Sequence, residues 1–106
     1  MRDLVRFYAA LADETRLRLL HLVAGGEICV CHLQSVLQTN QPKISRHLAY
    51  LRRAGLVEAR RDGRWTHYRL KKLDGGPQKI LRQTLARLKL EPQIRQDRQR
   101  LGKVFC

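Results

Sequence analysis

The sequence predicts a mainly α-helical domain with a β-hairpin wing, the winged helix-turn-helix class, within a chain of 106 residues. Three observations favour this class. Apolar residues recur at the helical spacing in several segments. Two of these segments are short and are joined by a tight turn at Thr39–Asn40. An Asp62-Gly63 pair separates two later runs that alternate apolar and polar residues. Helix, turn, helix and hairpin in this order make the winged motif.

The elements before the hairpin follow from apolar spacing, capping residues and glycines. We expect five of them, in chain order: a helix on the stripe Leu4, Phe7, Tyr8 and Leu11; a helix from Thr15 to Ala24 capped by Asp13; a brief extended segment from Glu27 to Val30; a short helix on Leu33, Val36 and Leu37; and a helix from about Gln41 to Ala54 capped by Asn40.

The hairpin is predicted from two strands, Leu56 to Arg60 and Trp65 to Leu70. Aromatic side chains are favoured in strands and bury large apolar areas. We therefore expect Trp65 and Tyr68 to pack the wing onto the fourth helix.

The C-terminal part begins with a helix predicted on the apolar residues Ile80, Leu81, Leu85 and Leu88. From Glu91 onward the chain is mostly polar and basic, so we expect it to be loosely ordered. The predicted division is a winged helix-turn-helix DNA-binding and dimerisation domain at 1–90 and a basic tail at 91–106.

The charge balance indicates a polyanionic partner. Lysine and arginine number 22 against 9 acidic residues, which gives a formal net charge of +13. Nucleic acid is the usual partner of so basic a domain, and we expect double-stranded DNA. No apolar run approaches the roughly 20 residues of a membrane span, and the N-terminus has no secretory pattern, so we expect a cytoplasmic protein without a membrane partner.

The second helix of the helix-turn-helix pair is the expected reader of DNA. Its buried stripe is predicted to be Ile44, Leu48 and Leu51, which leaves polar donors and acceptors on the outer face. Basic residues at the hairpin tip suit phosphate or minor-groove contact. The expected DNA-binding residues are Gln41, Lys43, Ser45, Arg46 and His47 on the helix and Arg61 and Arg64 on the wing.

Three cysteines, Cys29, Cys31 and Cys106, indicate thiol chemistry or a metal site, since an odd number in a reducing compartment makes a disulfide framework a poor explanation. Inert buried cysteines are the alternative. Side chains two residues apart share a face in an extended segment but point about 200° apart on a helix. A Cys29–Cys31 chelate at a helix start would therefore distort that start.

Five segments carry a resemblance to a known family: Ala10 to Leu20, Gln41 to Leu48 with Leu51, Ala54 to Val57, and Gly63-Arg64-Trp65 leading to Tyr68-Arg69-Leu70, with Glu27 to Leu33 between the first two. Over roughly residues 5–90 the chain resembles the ArsR/SmtB family of metal-responsive transcriptional repressors, and its Cys-Val-Cys segment resembles the arsenical-resistance branch. The resemblance implies a homodimer, joined by the first and last helices, that binds operator DNA when free of metal.

The resemblance also implies arsenite or antimonite as the inducer, held by cysteine thiolates, with no cofactor required. This chain departs from the pattern at Gln34, where the arsenic sensors carry a third cysteine. Cys106, water or a small thiol could fill the third place. The alternatives are a sensor of zinc, cadmium or thiol oxidation, and a signal-blind architectural nucleic-acid binder. No enzymatic motif is present in the sequence, so we do not expect an enzyme.

Overall fold

The computed structural model describes residues 1–105, which form six helices and a small antiparallel sheet of three strands. In chain order these elements are α1 (Arg2–Leu11), α2 (Glu14–Ala24), β1 (Ile28–Cys29), α3 (Val30–Leu37), α4 (Gln41–Arg53), β2 (Val57–Asp62), β3 (Trp65–Leu70), α5 (Gly75–Leu88) and α6 (Pro92–Leu101).

Both predicted N-caps are confirmed. The Asp13 carboxylate accepts a hydrogen bond from the backbone N–H of Arg16 at 3.0 Å, and the Asn40 side-chain oxygen accepts one from Lys43 at 2.9 Å. Each cap satisfies an N–H group that the first helical turn leaves without a partner. Gly55, at φ +78°, then turns the chain out of α4 in a backbone conformation that glycine adopts without strain. Local chemistry thus fixes both ends of α4.

The sheet has the strand order β1-β3-β2. In its antiparallel register, Cys29 lies opposite His67, and His67 lies opposite Arg60. The hairpin is longer than predicted, because β2 continues through Asp62 and leaves only Gly63 and Arg64 as the loop. The two residues of β1 therefore attach the segment before α3 directly to the wing.

The core lies between the helices and one face of the sheet. The predicted stripe of α4 is confirmed, since Ile44, Leu48 and Leu51 are fully buried. They pack in one cluster with leucines of α2 and with Leu33 of α3. Because α4 is buried along this stripe only, its opposite face is left exposed.

The expectation of loose order after Glu91 is wrong for the segment that forms α6. Ile94 and Asp97 of this helix are buried. The guanidinium of Arg18 donates two hydrogen bonds of 2.9 Å to the two carboxylate oxygens of Asp97, and this bond is the main reason that the pKa of Arg18 is raised. Arg98 donates to the backbone oxygen of His21 at 2.6 Å. One buried ion pair and a hydrogen bond to the backbone thus hold α6 on α2, although few apolar residues predict this helix. The division of function between 1–90 and 91–106 stays a prediction.

The two aromatic residues of β3 differ from each other. Tyr68 is half-buried and packs against the core. Trp65 does not pack the wing onto α4, since it is 41% exposed at the hairpin end and the Arg64 guanidinium lies 5.2 Å from its ring centroid. At this end of the hairpin the indole therefore lies against the Arg64 cation.

Candidate nucleic-acid interface and thiol site

The outer face of α4 presents the polar residues that the sequence predicts. Lys43 and Arg46 are exposed. Gln41 donates from Nε2 to the Ser45 hydroxyl at 2.8 Å, one helical turn away. This face therefore carries two cations and a linked amide–hydroxyl pair, a group of donors and acceptors suited to base edges and phosphates.

His47 is placed differently from the expectation. Its side chain is largely buried rather than directed outward with Lys43 and Arg46. Its Nδ1 lies 3.4 Å from Arg16 NH1 and 3.8 Å from a carboxylate oxygen of Asp13. Burial lowers the pKa of His47, and the charge of Asp13 acts in the opposite direction. The expected outward orientation is wrong, because the turn of α4 that carries His47 faces the start of α2. Contact of His47 with DNA stays a prediction.

The wing separates its arginines into two groups. Arg60 forms an ion pair with Glu27, 2.6 Å between nitrogen and oxygen, and hydrogen bonding to Arg60 lowers the pKa of that carboxyl group. Arg61 donates to the backbone oxygen of Gly63 at 3.1 Å, and Arg64 stacks on Trp65; both are exposed. Arg61 and Arg64 are therefore the cations that the wing tip offers to a partner.

A cationic groove continues from the outer face of α4 and was missed by the sequence analysis. It is lined by Arg16, Arg46, Tyr50 and Arg53 among others. The Tyr50 ring has the Arg16 guanidinium carbon 4.2 Å from its centroid and that of Arg53 at 5.8 Å. One signal could have found Arg16. It precedes Leu20 and Val23 by four and seven residues, so it lies on the buried stripe of α2.

Cys29 and Cys31 lie together, with their sulfur atoms 3.3 Å apart. Cys29 ends β1 and is the N-cap of α3, with extended backbone at φ −67° and ψ 142°, whereas Cys31 lies in the first turn. Because Cys29 is extended, its sulfur already approaches that of Cys31 across the helix start. Distortion of this start by a bound ion stays a prediction. Cys29 is a buried free thiol, and Cys31 is disulfide-bonded in this structure.

The surroundings of the cysteine pair supply no complete metal site within residues 1–105. Among these residues, no three side chains of histidine, cysteine, aspartate or glutamate converge to hold an ion. Cys29 does line a cavity of about 390 Å³ together with His32, His67 and Leu101 of α6. Cys106, the third predicted thiolate, lies outside the described residues. Over the same 105 residues, no helix has the length and apolarity needed to cross a membrane.

Comparison with known proteins identifies the family. Residues 13–59 match the family model described as bacterial regulatory protein, arsR family. A possible ArsR-family transcriptional regulator of Mycobacterium bovis, solved as a homodimeric winged helix-turn-helix DNA-binding domain, is 34% identical. The match covers 85% of this chain and 83% of that one, with a TM-score of 0.71. The chain belongs to the ArsR family. This confirms the predicted family and the winged helix-turn-helix fold.

Two curated relatives have names that state the ion to which they relate. The arsenical resistance operon repressor of Escherichia coli is 52% identical over 67 residues, which are 62% of this chain and 57% of that protein. The cadmium resistance regulatory protein CadC of Listeria innocua is 34% identical over 68 residues, which are 63% of this chain and 57% of that protein. The chain thus spans little more than half the length of these relatives, and their names differ in the ion.

Proposed function

We propose that the chain is a homodimeric repressor that binds operator DNA through α4 and the wing, and that trivalent arsenic or antimony releases it by binding the thiolates of Cys29 and Cys31. One observation carries the proposal: the two sulfurs lie 3.3 Å apart where β1 meets α3. The similarity to the arsenical resistance repressor supports the choice of ion.

The DNA-binding part of the proposal is supported by the position of four exposed basic side chains. Lys43 and Arg46 lie on the exposed face of α4, and Arg61 and Arg64 lie at the wing tip. In a winged helix-turn-helix the helix enters the major groove while the wing lies along the backbone. The net charge of +13 adds long-range attraction to DNA.

The homodimer is supported by an apolar surface on α1. Leu4, Val5 and Tyr8 are exposed there, although α1 also contributes Phe7 to the core. A cavity of about 700 Å³ between α1 and α5 continues this surface, with Leu4 and Ile80 among its lining residues. Contiguous apolar surface of this kind marks an interface in a soluble protein. A two-fold contact that pairs α1 and α5 with their copies would cover it.

The sulfur spacing suits a single ion bound by both cysteines, since sulfurs 3.3 Å apart are within reach of one atom with metal–sulfur bonds of about 2.3 Å. Thiolates also select soft ions over magnesium and calcium. Cys31 is disulfide-bonded in this structure, so arsenic binding requires that thiol to be reduced.

Cys106 is proposed as the third thiolate. Leu101, at the end of α6, lines the same cavity as Cys29, and Val104 packs against the core. Cys106 is two residues beyond Val104, a span of at most about 7 Å between the Cα atoms. This short reach from Val104 supports Cys106 as the candidate for the third thiolate.

Release of DNA follows from the two connections of the cysteine pair. Cys29 pairs with His67 on β3, so it is attached to the wing, and α3 packs against α4, the proposed reader. An ion that pulls a third thiolate toward the pair would shift β1 and the start of α3 together. A tenfold loss of DNA affinity needs only about 1.4 kcal/mol of coupling.

The test of the inducer uses fluorescence anisotropy of a duplex that the wild-type protein selects from a random-sequence pool. Thiols are kept reduced by a phosphine, which adds no competing thiol. We expect arsenite to release the wild-type protein and to leave the double variant Cys29→Ser/Cys31→Ser bound. Cys106→Ser should shift the release to higher arsenite concentration, since two thiolates bind more weakly than three.

The matched control is magnesium chloride, which should release neither protein. Release of the double variant by arsenite would show that the switch lies elsewhere. A Cys106→Ser variant with unchanged arsenite affinity would remove Cys106 from the site and leave the pair as the proposed sensor.

The reading helix is tested by Arg46→Ala. Loss of a base-edge or phosphate contact should weaken duplex binding by roughly 1–3 kcal/mol. The control is Arg95→Ala, which removes an equally exposed arginine from α6, away from α4. Equal affinities of the Arg46 variant and the wild type would exclude this face of α4 as the reader.

A second candidate inducer is cadmium, which the 34% identity to the cadmium regulator favours. Soft divalent ions also select thiolates. In the same titration, release by cadmium at lower concentration than by arsenite would decide for this alternative.

A further inference from the structure

Arg16, in the first turn of α2, binds the C-terminal end of α1. Its Nε donates to the backbone oxygen of Ala10 at 3.0 Å, and its NH2 donates to that of Ala9 at 2.8 Å. Carbonyl groups at a helix C-terminus carry partial negative charge, so a guanidinium there is favourable, although the Ala9 oxygen also accepts from the backbone N–H of Ala12 at 3.1 Å. Only Ala12 and Asp13 connect α1 to α2. The two-residue link does not by itself determine the angle between α1 and α2, and the two hydrogen bonds of Arg16 fix it.

The same guanidinium contacts α4. Its NH1 lies 3.4 Å from Nδ1 of His47, and its carbon lies 4.2 Å from the centroid of the Tyr50 ring. The side chain is only 13% exposed, so these contacts are shielded from water. A planar guanidinium with five donors can bond two helices and stack on an aromatic ring at the same time, whereas the ammonium of lysine has three donors and no planar fork.

Arg16 is thus one rigid side chain that touches both α1 and α4. We infer that Arg16 is a positioning residue that fixes the reading helix relative to the dimerisation helix, and that it thereby sets the half-site spacing that the dimer accepts. The inference rests on the proposed function, in which α1 joins the protomers and α4 enters the groove. In a symmetric dimer, the angle between α1 and α4 determines the distance between the two copies of α4, and this distance must match the spacing of the half-sites.

The test measures spacing rather than affinity alone. Duplexes with the selected half-sites moved apart or together by one base pair are titrated by fluorescence anisotropy. We expect the wild type to bind them about tenfold more weakly than the selected duplex. Arg16→Lys, which keeps the charge but loses the planar fork, and Arg16→Gln should each reduce that penalty to about threefold or less. A protein in which the angle between α1 and α4 is less fixed can bind half-sites at more spacings.

The matched control is Arg18→Gln. Arg18 is two residues along the same helix and its side chain is similarly buried, at 16% exposure, but it binds Asp97 of α6 instead of α1 and α4. This variant should lose stability while keeping the wild-type spacing penalty. Tyr50→Leu removes the aromatic contact on α4 without disturbing the bonds to α1, and should reduce the penalty even if the Arg16 variants fold poorly.

The outcomes separate the two ideas. If the Arg16 and Tyr50 variants bind every duplex more weakly but keep the wild-type ratio between spacings, Arg16 only stabilises the fold and the inference is wrong. A wild-type protein that selects no duplex would overturn the proposed function and this inference with it.

Discussion

Replacement of Asp97 by asparagine removes the charge that anchors α6 on α2 and keeps the shape of the side chain. Asp97 is 1% exposed, and both of its oxygens accept hydrogen bonds of 2.9 Å from Arg18. Gln93 donates a third bond to it at 3.1 Å. In the variant one oxygen becomes an NH2 group that faces a guanidinium nitrogen, so a donor meets a donor. The cation of Arg18 loses the carboxylate bonded to it and keeps only the more distant charge of Glu14.

The expected cost follows from this geometry. Removing one partner of a buried pair costs about 3–5 kcal/mol. The Arg18 side chain is 16% exposed, so water can solvate part of the remaining charge and the lower figure applies. We expect the Asp97→Asn variant to lose about 3 kcal/mol of its free energy of unfolding. For a domain of this length that lowers the melting temperature by about 12–24 °C.

The measurement is urea unfolding followed by circular dichroism at one fixed protein concentration, because dimerisation makes the midpoint depend on concentration. Glu91→Gln is the control. Its ion pair with Arg87 is 3.4 Å long and both side chains are at least half exposed, so its loss should cost below about 1 kcal/mol. If Asp97→Asn costs no more than this control, the ion pair does not anchor α6.

Two further predictions concern pH and capping. Burial is the main cause that lowers the pKa of both His21 and His47, so below about pH 6.5, the ordinary histidine value, the unfolded chain takes up more protons than the folded one. The free energy of unfolding should fall as the pH drops from 7.5 to 5.5, and the double variant His21→Gln/His47→Gln should show a flatter profile; a wild-type profile with no slope would refute this. Asn40→Ala should lower the free energy of unfolding by about 1 kcal/mol, measured with urea, because it removes the cap of α4. Asn40→Asp should restore most of this loss, since its side-chain oxygen can also cap the helix. An alanine variant as stable as the wild type would show that the cap does not stabilise the fold.

The features that could be predicted from the sequence are those that neighbouring residues decide. Asp13 and Asn40 cap helices through the backbone three residues ahead, so the sequence alone locates them. The buried stripe of α4 follows from apolar residues that recur about every 3.6 positions, and the two strands of the hairpin around Gly63 follow from apolar residues at every second position. The family resemblance rested on these segments, and the comparisons confirm it.

The features that could not be predicted depend on partners far apart in the chain. Arg18 and Asp97, which anchor α6, are 79 residues apart, and α6 itself shows almost no apolar stripe. The side chain of His47 lies inward because it contacts Arg16 and Asp13 at the start of α2. The spacing of apolar residues within α4 does not predict these contacts. The contact between the cysteine sulfurs depends on where β1 ends and α3 begins, and the sequence does not locate that boundary to the residue.

The register of β1 has a consequence for how this protein could change its signal over evolutionary time. A strand pairs through its main chain, so the side chains of Ile28 and Cys29 are not needed for the bonds to β3. A substitution at position 29 therefore keeps these main-chain bonds, and it is limited by the space for a side chain that is only 8% exposed. New ligand chemistry can be tried here with side chains of similar size, without rebuilding the DNA-binding scaffold.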